Sequence, residues 1–83
     1  MNKILVNVYV PILNRSYDIF IPSGSQIFEV TELMKRAIYE LSEAQFMPSA
    51  DTLLAYRTTG EILDHNRTAT ELSIGNGAKL MLI

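Results

Sequence analysis

The sequence has no cysteine. Disulfides and thiolate-held metals are therefore excluded, and so small a chain must hold itself together by packing alone. It also lacks any run of about 18 apolar residues, which excludes a helix that spans a bilayer. Basic charge is sparse: 7 Lys and Arg against 9 Asp and Glu leave a net charge of −2. Only Lys35 and Arg36 are adjacent cations, and they sit among Glu29, Glu32 and Glu40. Nucleic acid binding draws on a coherent basic surface that displaces counterions, so no nucleic acid partner is expected. An export leader is not expected either. Met1-Asn2-Lys3 followed by an apolar stretch has the outline of one, but Asn7, Pro11 and Asn14 interrupt it and no small-x-small cleavage site follows. Without repeats, linkers or low-complexity tracts, the 83 residues read as a single domain, 1–83. At 48% apolar residues the composition is that of a globular protein. With no cysteine and no leader, the cytoplasm is the expected compartment.

What is present is alternation. Over residues 3–10, Ile4, Val6, Val8 and Val10 share one face, while Lys3, Leu5, Asn7 and Tyr9 share the other. Pro11 to Arg15 carries turn chemistry, and a second strand over about 16–21 sets Tyr17, Ile19 and Ile21 against Ser16, Asp18 and Phe20. Two strands joined by a short turn make an antiparallel hairpin. After Pro22-Ser23-Gly24, Ser25 is the expected helix N-cap. From Gln26 to about Ser42 the period lengthens: Ile27, Val30, Met34, Ala37 or Ile38, and Leu41 form a helical stripe that Leu33 widens. A third strand is expected over 52–58, with Leu54 and Tyr56 inward, and a short fourth at Glu61-Ile62-Leu63. A turn of helix follows over 69–74, anchored by Leu72 and Ile74, and Gly75-Asn76-Gly77 turns into a last strand at 79–83. One amphipathic helix with one sheet face to cover gives an α+β domain of two layers on a mixed four- to five-stranded sheet. The expected core is Ile4, Val6, Ile19, Ile21, Ile27, Val30, Met34, Leu72, Ile74, Leu80 and Leu82.

No residue pattern points to catalysis, a metal or a cofactor. His65 is the only histidine and follows Asp64 in a polar loop. An acid–base pair would need a nucleophile and an oxyanion site, and a metal would need more ligands, so a solvated histidine is the expected reading. Glu29, Glu32, Glu40 and Glu43 are interspersed with Lys35 and Arg36, as on an ordinary solvated helix face. Gly75-x-Gly77 lacks the preceding strand and following helix of a phosphate loop.

The remaining candidates are surfaces. Phe28 and Tyr39 are eleven residues apart, about 16 Å along a helix and nearly in line around it, and both fall off the apolar stripe. Exposed aromatics serve as interface anchors, although scattered exposed apolar residues are also ordinary. Leu5, Tyr9 and Met81 fall on the face of their strands that points away from the helix. With the first and last strands adjacent at the sheet centre, they form an apolar strip on the open face.

The element order resembles the ubiquitin-like β-grasp. Gly60-Glu61-Ile62-Leu63-Asp64, Arg67-Thr68 and Ile74 resemble ubiquitin's turn glycine, Leu-Glu pair, Arg-Thr and core isoleucine, and Pro22-Ser23, Ile27 and Val30 follow the same scheme. A closer resemblance is to the YukD/EsaB family of type VII secretion systems in Gram-positive bacteria. It is carried by Tyr17-Asp18-Ile19-Phe20-Ile21-Pro22, Ile27, Val30, Leu72, Ile74, Gly77 and Leu80, with Ala78 where the family often has Asp. The resemblance implies a cytoplasmic, non-enzymatic accessory that binds protein partners. These would be cytoplasmic parts of the secretion machine's membrane proteins or its ATPase, with self-association as a further mode. Conjugation and sulfur-carrier chemistry need a flexible C-terminal Gly-Gly. The sequence ends on Leu82-Ile83, so a carrier role is not expected, and the alternative is a ubiquitin-like regulatory binding domain unrelated to secretion.

Overall fold

The computed structural model describes residues 2–83. Strands β1 (Lys3–Val10) and β2 (Arg15–Pro22) form the hairpin, helix α1 runs over Ile27–Leu41, and β3 (Leu54–Tyr56) and β4 (Lys79–Leu82) complete the sheet. The sheet has four strands in the order β2-β1-β4-β3. β1 is antiparallel to β2, with Leu5 opposite Phe20 and Tyr9 opposite Ser16. It is parallel to β4, with Val8 opposite Leu80 and Tyr9 opposite Met81. The two most apolar strands thus lie side by side at the centre, as their composition predicts.

Period-2 alternation decides which residues the helix covers. Val6, Val8, Val10, Ile21, Leu80 and Leu82 are buried, and so are Ile27, Val30, Thr31, Met34 and Ile38 along α1. Each fully buried aliphatic side chain is worth about 1.5–3 kcal/mol. Ile19 and Ile74 join the core as expected, whereas Ile4 and Leu72 are only half-buried against it. Leu33 and Leu41 are exposed. Beyond the helix, the Phe46 N–H donates to Ser42 Oγ at 3.0 Å, and Phe46 fills the core near the helix end.

The helix start departs from expectation. The N-cap is Gln26, not Ser25, and its side chain makes no capping bond. Backbone carbonyls from a distant loop do the work instead: Arg67 C=O accepts from Ile27 N–H at 2.8 Å and His65 C=O from Phe28 N–H at 3.2 Å. Helix N-termini leave such donors unpaired unless something supplies an acceptor.

The second half is mostly turns. The third strand spans only Leu54–Tyr56, and the expected fourth strand reduces to a single bridge between Ala55 and Ile62. Residues 69–73 form turns, not a helix. They begin with a reciprocal pair: Thr68 N–H donates to Glu71 Oε1 at 2.9 Å, and Glu71 N–H to Thr68 Oγ1 at 3.1 Å. This is a capping box. Ser73 then turns left-handed (φ 59°) and stops the helical turn, which places Ile74 in the core.

Candidate docking surfaces

The face of the sheet opposite α1 is assembled from alternate residues of all four strands. Leu5, Asn7 and Tyr9 come from β1, and Ser16, Asp18 and Phe20 from β2. Lys79 and Met81 come from β4, and Ala55 from β3. Two apolar clusters result, separated by a polar row. At one end Leu5, half-buried, lies beside Phe20, which is 61% exposed. Leu5 is held at both backbone groups: its N–H donates to Asn76 Oδ1 at 2.7 Å and its C=O accepts from Gly77 N–H at 2.8 Å. Gly77 stands at φ +84°, a conformation that L side chains rarely adopt.

At the other end Tyr9 and Met81 are neighbours in register, both half-buried. The Tyr9 hydroxyl donates to Asn14 Oδ1 at 2.7 Å. The Arg57 guanidinium lies over the Tyr9 ring, 4.4 Å from its centroid, close enough for a cation–π attraction. Arg57 reaches this position because its N–H continues the β3–β4 ladder by donating to Lys79 C=O at 3.2 Å. Ala55 is fully buried even on this face. Ile62 bridges to it, and Leu63 N–H donates to Leu54 C=O at 3.0 Å, so residues 61–63 wrap the edge of β3. Between the clusters, Asn7 Nδ2 donates to Asp18 Oδ1 at 3.0 Å.

The outer face of α1 is a second surface. Phe28 (46% exposed) and Leu33 line a shallow groove with Glu29, Glu32 and Arg36, and Glu32 Oε2 pairs with Lys35 Nζ at 2.8 Å. Tyr39, 40% exposed, is not among the groove's lining residues. The five candidate residues thus fall on two sides of the molecule, with Leu5, Tyr9 and Met81 on the sheet and Phe28 and Tyr39 on the helix. A smaller apolar hollow lies at the end of the sheet between Pro11, Ile12, Phe46, Leu82 and Ile83.

Sequence reasoning missed Phe20, Arg57 and Lys79 as members of the sheet face. Phe20 was recoverable, because it alternates with the buried Ile19 and Ile21 and the hairpin register sets it beside Leu5. The face of Arg57 was recoverable too, because it alternates with Leu54 and Tyr56; its stacking on the Tyr9 ring was not.

His65 is not the solvated loop residue expected. It is half-buried, and its Nε2 is enclosed without a hydrogen-bond partner. The reason is that the 64–68 loop docks against the start of α1 through its carbonyls. Asp64 is turned elsewhere, accepting from Asn66 N–H at 2.9 Å and pairing with Arg67 Nε at 3.5 Å. Among the described residues no group of three or more His, Asp or Glu side chains is placed to hold a metal. Nor is any helix among them long and apolar enough to cross a membrane.

No protein-family model matches the sequence, and no curated protein matches it. Solved structures match it by shape. The ubiquitin-like domain of the type VII secretion protein EccD1 of Mycobacterium tuberculosis superposes with a TM-score of 0.82 at 13% identity, covering 100% of this chain and 99% of that one. This chain has the ubiquitin-like β-grasp fold. The ubiquitin-like domain of EccD5 from Mycobacterium xenopi gives 0.73 at 16% identity, over 100% of this chain and 94% of that one. A chain of the toluene 4-monooxygenase HD complex gives 0.78 at 10% identity, over 98% of this chain and 96% of that one. Identities this low establish the shared fold and leave function to the surfaces.

Proposed function

We propose that this protein is a non-enzymatic ubiquitin-like adaptor that docks on other proteins through its open sheet face. The single observation that carries the reading is the face itself. One helix covers one side of the sheet, and the other side keeps Leu5, Phe20, Tyr9 and Met81 at the surface, where folding does not require them to be apolar. Retained apolar area on so small a domain is a candidate contact site, and aromatic side chains contribute most where they fill a partner's pocket. Within that reading, the YukD/EsaB-like sequence pattern and the shape shared with two type VII secretion ubiquitin-like domains support a cytoplasmic accessory of a type VII secretion machine. Its partners would then be cytoplasmic parts of the machine's membrane proteins or its ATPase. Phe28 and Tyr39 on the helix form the alternative contact face.

The test is an export assay in the native cell, with a melting curve for each variant. Phe20→Glu and Met81→Lys are expected to melt close to the parent protein and to reduce secretion. Phe28→Glu and His65→Ala are expected to leave secretion intact. If the sheet-face variants are silent while Phe28→Glu abolishes export, the docking face is the helix. Loss of export in His65→Ala alone would overturn the binding-module reading.

A further inference from the structure

The open sheet face has a charge opposite to that of the protein. The chain carries −2 overall, yet this face presents Lys3, Arg57 and Lys79, all exposed, against Asp18 alone. Asp18 is already engaged by the Asn7 amide. Among the described residues the ion pairs are Lys35–Glu32 and Arg67–Asp64, so none of the three face cations has a carboxylate partner. Arg57 is also held in place. Its guanidinium rests on the Tyr9 ring, and Tyr9 is tethered through its hydroxyl to Asn14. A stacked guanidinium keeps its N–H edges free to grip a carboxylate in bidentate fashion, and less side-chain entropy is lost when it does so. The outer helix face lacks that excess of cations, with Glu29, Glu32 and Glu40 against Lys35 and Arg36.

From this pattern we infer that the open sheet face selects an acidic partner segment, a peptide stretch of another protein in which apolar side chains alternate with Asp or Glu. Its apolar residues seat on the Leu5–Phe20 and Tyr9–Met81 clusters. Its carboxylates meet Lys79 in the row between them, where Asn7 lies opposite Lys79 in the β1–β4 register, and Arg57 at the Tyr9 end. Three cations are too few, on a protein of net negative charge, to hold a nucleic acid backbone at physiological salt. Opposed charges across an interface set specificity and association rate, so the face rejects basic segments as well as accepting acidic ones. The inference rests on the docking reading above and adds the chemistry of the partner.

The experiment selects random displayed peptides on the full chain, then maps the best synthetic peptide by backbone amide shifts. The expected result is a consensus of acidic and apolar residues that shifts Leu5, Phe20, Arg57, Lys79 and Met81. Replacing its acids with Asn and Gln weakens binding roughly tenfold, the weight of a hydrogen bond to a charged group. Lys79→Glu, with an unchanged melting curve, lowers affinity by a similar factor, and added salt does the same. Arg57→Glu gives a second reading should Lys79→Glu fail to fold. A consensus without acids that maps to the same face overturns this inference and leaves the docking face standing. Peptides that map to α1, or selection that enriches none, overturn both. A single-stranded oligonucleotide that binds these residues more tightly than the peptide also overturns the acidic-segment inference.

Discussion

Leu80 and Met81 are consecutive on one strand, and so are Val8 and Tyr9, yet they belong to different chemistries. Val8 and Leu80 are sealed under α1, while Tyr9 and Met81 lie half-open on the far side of the same sheet. The buried face is aliphatic except for Tyr17 and Tyr56 on the two edge strands. The open face mixes aromatic, aliphatic, amide and cationic groups in rows. The difference teaches that a single helix divides the sheet's labour: on the side it covers, side chains are selected for packing, and on the side it leaves, they are available for recognition.

The sharpest way to break this comparison is to mutate neighbours. Leu80→Ala removes a buried side chain from the sheet centre and should cost about 2–5 kcal/mol, from lost transfer energy plus a residual cavity. A domain of this size has little more than that to lose. Urea titration reads it directly, and a loss under about 1 kcal/mol would mean that the site collapses around the truncation. Tyr17→Phe tests a flaw on the covered side. Tyr17 packs against the core opposite Val8, and its hydroxyl is enclosed with no hydrogen-bond partner. Deleting that oxygen should raise stability by about 1 kcal/mol, and a loss of stability would reveal a partner for the hydroxyl. Met81→Lys, next to Leu80, should change stability by no more than about 0.5 kcal/mol, since a lysine stem can lie along the face with its head in water. A large destabilisation there would blur the distinction between the faces. The smallest effect should come from Gln26→Ser. A good N-cap is normally worth about 1 kcal/mol, but here the His65 and Arg67 carbonyls already satisfy the first helical N–H groups. A gain under about 0.3 kcal/mol is therefore expected in thermal melts, and a full gain would show that the loop is a weak cap.

How legible each region was follows from how local its causes are. The hairpin and α1 could be read within about two residues, because alternation over 3–10 and the Ile27-Val30-Met34-Ile38 stripe are properties of adjacent chain. The stretch from Glu43 to Ala78 was read less well. There the chain is held by bonds to distant backbone: Leu53 exchanges two with Ile83, at 2.7 and 2.9 Å, and Thr70 N–H donates to Ser23 C=O at 3.2 Å. The turn of helix expected over 69–74 is opened by the Thr68–Glu71 capping box but stops at Ser73. Of the candidate surface, Leu5, Tyr9 and Met81 could be placed on one face from alternation and strand adjacency. The Arg57–Tyr9 stack could not, since it joins side chains that reach over β4 from opposite neighbours of that strand.

By itself, then, the sequence determined the α+β class, the order of hairpin, helix and closing strand, the helix stripe and the alternation that separates the sheet's two faces. These depend on backbone periodicity, which every short segment carries within itself. Only the tertiary structure decided that β3 stops at Tyr56, that a loop carbonyl caps the helix, that His65 is enclosed, and that three unpaired cations share a face with Leu5, Phe20, Tyr9 and Met81. Each of those outcomes depends on which distant groups meet across the sheet, and burial and charge pairing become defined only when they do.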